Sequence, residues 1–285
     1  MAKRLLTRRK QAWVARRKPE VVRGLPINPN AAIEARYYAR LERDINRMCD
    51  RVQASLERLF NKEVAVEYFA QDESIASKAR ILTNELTRRF MDIFNAQAMS
   101  IAEAMARESD AASSASVHSS IQQLSGGLSL PTTAITKPMK EILKATVTEN
   151  VGLIKSIPAQ YLQGVQGAVM RSITNGGGLK TLVPYLEKHR GVTLRRARMI
   201  AKDQTRKAMN NLSAARLENL GLKKFEWLHT GGSAEPRQLH IDYSGRIFSF
   251  DDPPVIDKNT GERGLPGQAI NCRCRIVPVI EFGDE

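Results

Sequence analysis

The chain has 285 residues, enough for a sizeable core and for two domains, with 42% hydrophobic residues and aromatics sparse at 6%. No run of eighteen apolar residues occurs and no apolar segment follows Lys3-Arg4, which argues against a spanning helix and against a secretory signal. Three cysteines, an odd number, argue against a disulfide framework, and a net charge of +14 favours a polyanionic partner, nucleic acid before membrane.

The charge is concentrated at the start. Between Met1 and Gly24, Lys3, Arg4, Arg8, Arg9, Lys10, Arg16, Arg17, Lys18 and Arg23 stand against Glu20 alone. Neutralising phosphates releases counterions, so the first eight of these are candidate DNA contacts on a basic arm spanning residues 1–30. The competing reading is a solvated tail. Pro26 and Pro29 then break the chain, with Asn28 and Asn30 available as helix caps.

From residue 31 the pattern is helical. Ile33, Tyr37, Leu41, Ile45, Met48, Val52, Leu56 and Leu59 recur at steps of three and four, one apolar face of a long helix. A second helix is predicted over residues 77–108, Ala-rich and suited to close helix contact. Residues 111–136 are rich in Ser, Gly and Ala and predict a hinge, or a helix fraying into a loop. Helices resume at Lys137-Pro138 and again at Pro158, ending at Asn175-Gly176-Gly177-Gly178. After one more short helix, Thr193 is a plausible N-cap for a basic helix that stops at Gly221. Its Arg195, Arg196 and Arg198 extend the set of candidate DNA contacts, against the bland reading of a solvated cationic face.

Residues 227–282 differ in texture, alternating short apolar runs with Gly, Pro and Asp. Strands are expected over residues 223–228, 246–250 and 273–280. The fold expected is therefore mostly α: a long-helix bundle followed by a small C-terminal α+β module. The parts are an arm (1–30), a helical region (31–190) and the module (191–285).

The module carries an ordered set of motifs. Gly191-Val192-Thr193 precedes Arg196-Ala197-x-x-Ile200-Ala201 and Ala208-x-Asn210; then come Gly221-Leu222-Lys223-x-x-x-Trp227, Arg237-x-x-His240, a turn at Gly245, and Asn271-Cys272-Arg273-Cys274-Arg275. This set resembles the C-terminal domain of the minor head, or head-morphogenesis, proteins of tailed bacteriophages, of the phage Mu type. The resemblance covers about a third of the chain. It implies a minor capsid component of the virion, acting in head assembly, DNA packaging or ejection. It further implies association with the portal protein and double-stranded DNA, with major capsid or scaffolding protein as further partners and no membrane. The expected location is the head interior or portal vertex, and the host cytoplasm during assembly.

Two chemistries remain open for the module. Cys272 and Cys274, two positions apart, can share a zinc ion with His240, and Asp242 or His229 could serve as fourth ligand. The preferred reading has no cofactor: Arg237, His240, Gly245, Asn271, Cys272, Arg273 and Cys274 form a structural clasp. In that clasp His240 bonds the 271–275 backbone, Asn271 caps the turn after Gly267, and Arg237 and Arg273 reach carbonyls or the carboxylates of Asp242 or Asp251. An enzyme is not expected, since no His-Asn-His pattern, compact metal-carboxylate motif or nucleophile elbow is present. The alternative is a phage nuclease or toxin-like effector.

Overall fold

The computed structural model describes residues 20–66, 74–127, 129–232 and 235–282. Four long helices dominate: α1 (Ala31–Val66), α2 (Ile75–Leu124), α3 (Lys137–Thr174) and α4 (Gly178–Asn219). With them are strands β1 (Glu20–Arg23), β2 (Lys224–Leu228), β3 (Ile247–Ser249) and β4 (Arg275–Phe282), and the short helix α5 (Gln238–Asp242). The chain is mostly α, with a small antiparallel sheet near its C-terminal end. No described helix is long and apolar enough to cross a membrane.

Asn30 starts α1, its Oδ1 accepting the Ala32 N–H at 3.0 Å. The stripe from Ile33 to Leu56 is buried throughout, and Phe60 rather than Leu59 extends it. The region expected to act as a hinge is helical as far as Leu124 and irregular only after it. Pro158 does not start a helix and Gly191 does not separate two; α3 and α4 run through them, and α4 through Pro184 as well. A mid-helix proline forfeits a hydrogen bond and costs about 3 kcal/mol, which local preference alone cannot offset. Burial does: Ile154, Ile157, Tyr161 and Leu162 all turn inward around Pro158. Thr193 is therefore no N-cap. It lies inside α4, its hydroxyl donating back to the His189 carbonyl at 2.9 Å.

The structure divides into two compact units. One holds residues 29–111 and 137–209, which is α1, α3 and most of α2 and α4. Its core contains a polar chain. The Tyr37 hydroxyl donates to Asn150 Oδ1 (2.8 Å), whose Nδ2 donates to the Thr146 carbonyl (2.8 Å) and to Gln204 Oε1 (3.0 Å). Burial holds the Tyr37 phenol protonated, pushing its pKa far above the usual value. Tyr37→Phe should strand the Asn150 carbonyl oxygen and cost about 1–3 kcal/mol in denaturant unfolding. A variant as stable as the parent would show that Asn150 finds another donor.

The other unit joins described residues 20–28, 112–136 and 210–282. The units are drawn differently from the three parts read in the sequence: residues 20–28 group with the C-terminal sheet, and Gly191 lies inside α4. The sheet order is β1-β4-β2-β3, all antiparallel, with Val22 opposite Ile280, Trp227 opposite Ile276 and Phe225 opposite Phe248. Four strands form where three were expected. β2 alternates, burying Phe225 and Trp227 completely. Val117, Ile121 and Leu124 of α2 and Ala214 and Leu217 of α4 join those rings, Ile27 and Ile276 in one apolar cluster.

Candidate functional site

At one end of this sheet three segments converge. β2 ends at Leu228, which sets His229 just past the strand and half-buried. α5 is little more than one turn, yet it carries His240 inward to 2% exposure. The third segment, residues 271–274, leads into β4 and buries both Cys272 and Cys274. Asn271 begins it in the left-handed region, φ 60°, which asparagine tolerates better than most residues.

Polar contacts hold these segments together. Thr230 Oγ1 donates to the Arg273 carbonyl (2.8 Å), tying the His229 loop to the cysteine segment. Arg237 Nη1 donates to the Ile270 carbonyl (3.1 Å), and Arg273 Nη1 to the Gly232 carbonyl. Both arginines thus take backbone carbonyls rather than carboxylates, and Asp242 is engaged by Gln238 (2.8 Å). Gly245, at φ 80°, turns the chain between α5 and β3, and its N–H donates to the Trp227 carbonyl at 2.8 Å. Gly267 (φ 83°) has no room for a side chain, because a Cβ there would overlap the Asn210 amide, which donates to the Pro266 carbonyl at 2.6 Å.

His240 does not bond the 271–275 backbone. Its Nε2 lies 3.0 Å from the Ile256 carbonyl, an acceptor only, so Nε2 carries the proton and Nδ1 keeps a lone pair. That lone pair faces sulfur: Cys272 Sγ at 3.4 Å and Cys274 Sγ at 3.8 Å. The ligand atoms of the three residues all lie within 4.8 Å of one another. His229 Nδ1 comes within 3.5 Å of Cys274 Sγ. All three cysteines of the chain are free thiols.

The two thiols titrate as a pair. A hydrogen bond from Cys274 draws the Cys272 pKa below the usual thiol value against the opposing effect of burial, and His240 adds to the fall. The Cys274 thiol moves up, through the same hydrogen bond and through burial. Burial pulls His240 down, but the Cys272 sulfur and the Ile256 carbonyl outweigh it and leave the imidazole pKa raised. Trp227 forms the wall behind the cluster, its ring edge-on to His240 at 5.1 Å. Its buried Nε1–H meets no acceptor besides the Cys274 sulfur, toward which it donates a weak hydrogen bond that favours negative charge there.

The candidate DNA contacts Lys3, Arg4, Arg8, Arg9, Lys10, Arg16, Arg17 and Lys18 lie outside the described residues. On α4, Arg195 and Arg198 are exposed, and the Arg198 guanidinium sits 4.7 Å above the Tyr38 ring. Arg196 is half-buried and donates to Ser156 Oγ at 2.8 Å, which gives it a packing role. Two residues of the site carried no assignment from sequence. Ile256 contributes only its carbonyl, for which no side-chain signal exists. Trp227 did have one, as the large aromatic on the inward face of an alternating strand.

Residues 163–277 match the family described as phage Mu protein F-like protein, a stretch that contains His229, His240, Cys272 and Cys274. A relative from Haemophilus influenzae (strain ATCC 51907 / DSM 11121 / KW20 / Rd), itself an uncharacterized protein, is 28% identical over 265 residues. The match takes in 91% of this chain and 56% of the relative, so the chain spans little more than half of that protein's length. No solved structure matches the chain. Over residues 163–277, where the convergent His and Cys side chains lie, the chain is thus similar to the phage Mu protein F-like family.

Proposed function

We propose that this chain is a structural minor head protein of a tailed bacteriophage. In this reading it sits in the virion in association with the portal and packaged DNA, and acts in head assembly, packaging or ejection without catalysing a reaction. The observation that carries the reading is the phage Mu protein F-like match over residues 163–277. A net charge of +14 supports a place beside DNA, since a cationic surface gains affinity for phosphate through counterion release. The phosphate-facing groups in this proposal are the N-terminal cations and the exposed Arg195 and Arg198.

The test is mass spectrometry of purified particles of the encoding phage, full and DNA-emptied, beside a plasmid incubation with magnesium or zinc. The chain should be found in full particles at low copy, and the plasmid should stay supercoiled. Absence from particles overturns the head assignment. Nicking that disappears in His240→Ala overturns the non-catalytic part.

A further inference from the structure

We propose that His240 Nδ1, Cys272 Sγ, Cys274 Sγ and His229 Nδ1 bind one zinc ion in a tetrahedral site that pins α5 and the start of β4 to the end of β2. This goes beyond the head-protein reading, and its failure would leave that reading standing. The separations are the first argument. Zinc holds sulfur at about 2.3 Å and nitrogen at about 2.0–2.1 Å, so tetrahedral S and N ligands lie roughly 3.5 Å apart. His240 Nδ1 lies 3.4 Å from Cys272 Sγ and 3.8 Å from Cys274 Sγ, and His229 Nδ1 lies 3.5 Å from Cys274 Sγ. His240, Cys272 and Cys274 already have all their ligand atoms within 4.8 Å of one another, and the His229 ring would turn inward to complete the set.

Protonation is the second argument. The Ile256 carbonyl fixes the proton of His240 on Nε2 and aims the Nδ1 lone pair into the cluster, as a backbone acceptor behind a ligating histidine does. One lone pair then faces two sulfurs, while the Cys274 sulfur stands between two imidazoles. Weak thiol hydrogen bonds satisfy such a convergence poorly. A divalent cation at its centre satisfies every member at once, and loading displaces to solvent the protons the ligands still hold. The Trp227 N–H is the third argument, because it meets no acceptor besides the Cys274 sulfur, which a metal would hold as a thiolate, the better acceptor.

A donor set of two thiolates and two imidazoles selects zinc among common divalent ions. A small cavity of about 20 Å³, lined by His229, Glu235, Arg237, His240, Cys272 and Cys274, gives the ion a way in. Four protein ligands with no open position make the site structural. Its effect would be to fasten three turn-rich segments that bury little apolar area between them.

The full chain, stripped with chelator and titrated with cobalt(II), tests this directly. We expect stoichiometric uptake, a near-ultraviolet thiolate-to-cobalt band, the intense visible bands of a tetrahedral centre, and displacement of cobalt by zinc. Cys272→Ser and Cys274→Ser should each lose most of the thiolate band, and His229→Ala should shift the visible bands while keeping it. A full chain that stays folded by circular dichroism yet takes up no stoichiometric cobalt or zinc overturns the site. Unchanged visible bands in His229→Ala overturn the four-ligand set.

Discussion

Replacing Trp227 with alanine should destabilise the sheet-bearing unit by about 3–5 kcal/mol, the range for deleting a fully buried large aromatic side chain. Trp227 is fully buried, and β2 is an interior strand, flanked by β4 and β3. Its ring makes edge-on contacts with His240 at 5.1 Å, Tyr243 at 5.4 Å and Phe248 at 6.3 Å. Such pairs add about 0.5–1.5 kcal/mol beyond area burial. The cavity would open between α5 and the sheet, against the rings of His240 and Tyr243. Trp227→Phe should recover part of the loss, because a smaller ring still meets Tyr243 and Phe248. Denaturant unfolding followed by circular dichroism is the measurement, and a cost below about 1 kcal/mol would show that the unit closes over the gap.

Removal of residues 1–28 should be comparably damaging, whereas removal of residues 1–19 should alter DNA binding alone. β1 pairs with β4 from Glu20 opposite Phe282 to Arg23 opposite Val279. The pairing continues past the strand, with the Gly24 N–H on the Pro278 carbonyl (2.9 Å) and the Ile27 N–H on the Ile276 carbonyl (2.8 Å). Ile27 is fully buried, worth about 1.5–3 kcal/mol by itself. Each ladder hydrogen bond adds about 0.5–1.5 kcal/mol, and the cut would leave β4 as a bare, apolar edge prone to aggregation. Truncation at residue 19 keeps all of this. If the basic residues before it meet phosphate, the slope of log affinity against log salt should flatten by about 0.9 for each phosphate no longer neutralised. Equal slopes would make that segment a solubility tail, and equal melting after removal of residues 1–28 would make β1 dispensable.

These outcomes bear on what the amino-acid sequence makes legible. The α1 stripe is readable because one helix face is buried along most of its length, so periodicity and packing carry the same information. Pro158 and Gly191 mislead because local preference is weak beside the tertiary burial that carries α3 and α4 through them. β1 escapes detection for a different reason. Four residues, Glu-Val-Val-Arg, show no usable alternation in a basic stretch, and their partner lies more than 250 positions away. At the site, His and Cys spacing singles out His240, Cys272 and Cys274, while the main-chain acceptor at Ile256 leaves no trace in residue identity. The carboxylates Asp242 and Asp251 looked attractive on charge alone. Arg237 and Arg273 take main-chain oxygens instead, because turn-rich segments present carbonyls that lack ladder partners.

The pairing of β1 with β4 also sets an order of events during synthesis. Glu20 has no strand to join until Phe282 has been made. At about 5–20 residues per second, that wait lasts roughly ten seconds to a minute on the ribosome. The long helices close only local hydrogen bonds and can form within that interval, whereas the sheet must close a loop of nearly the whole chain. Completion of the sheet thus waits on synthesis of residues 275–282: a chain cut short before residue 275 would carry formed helices and an unsealed apolar face, the kind of product a cell clears.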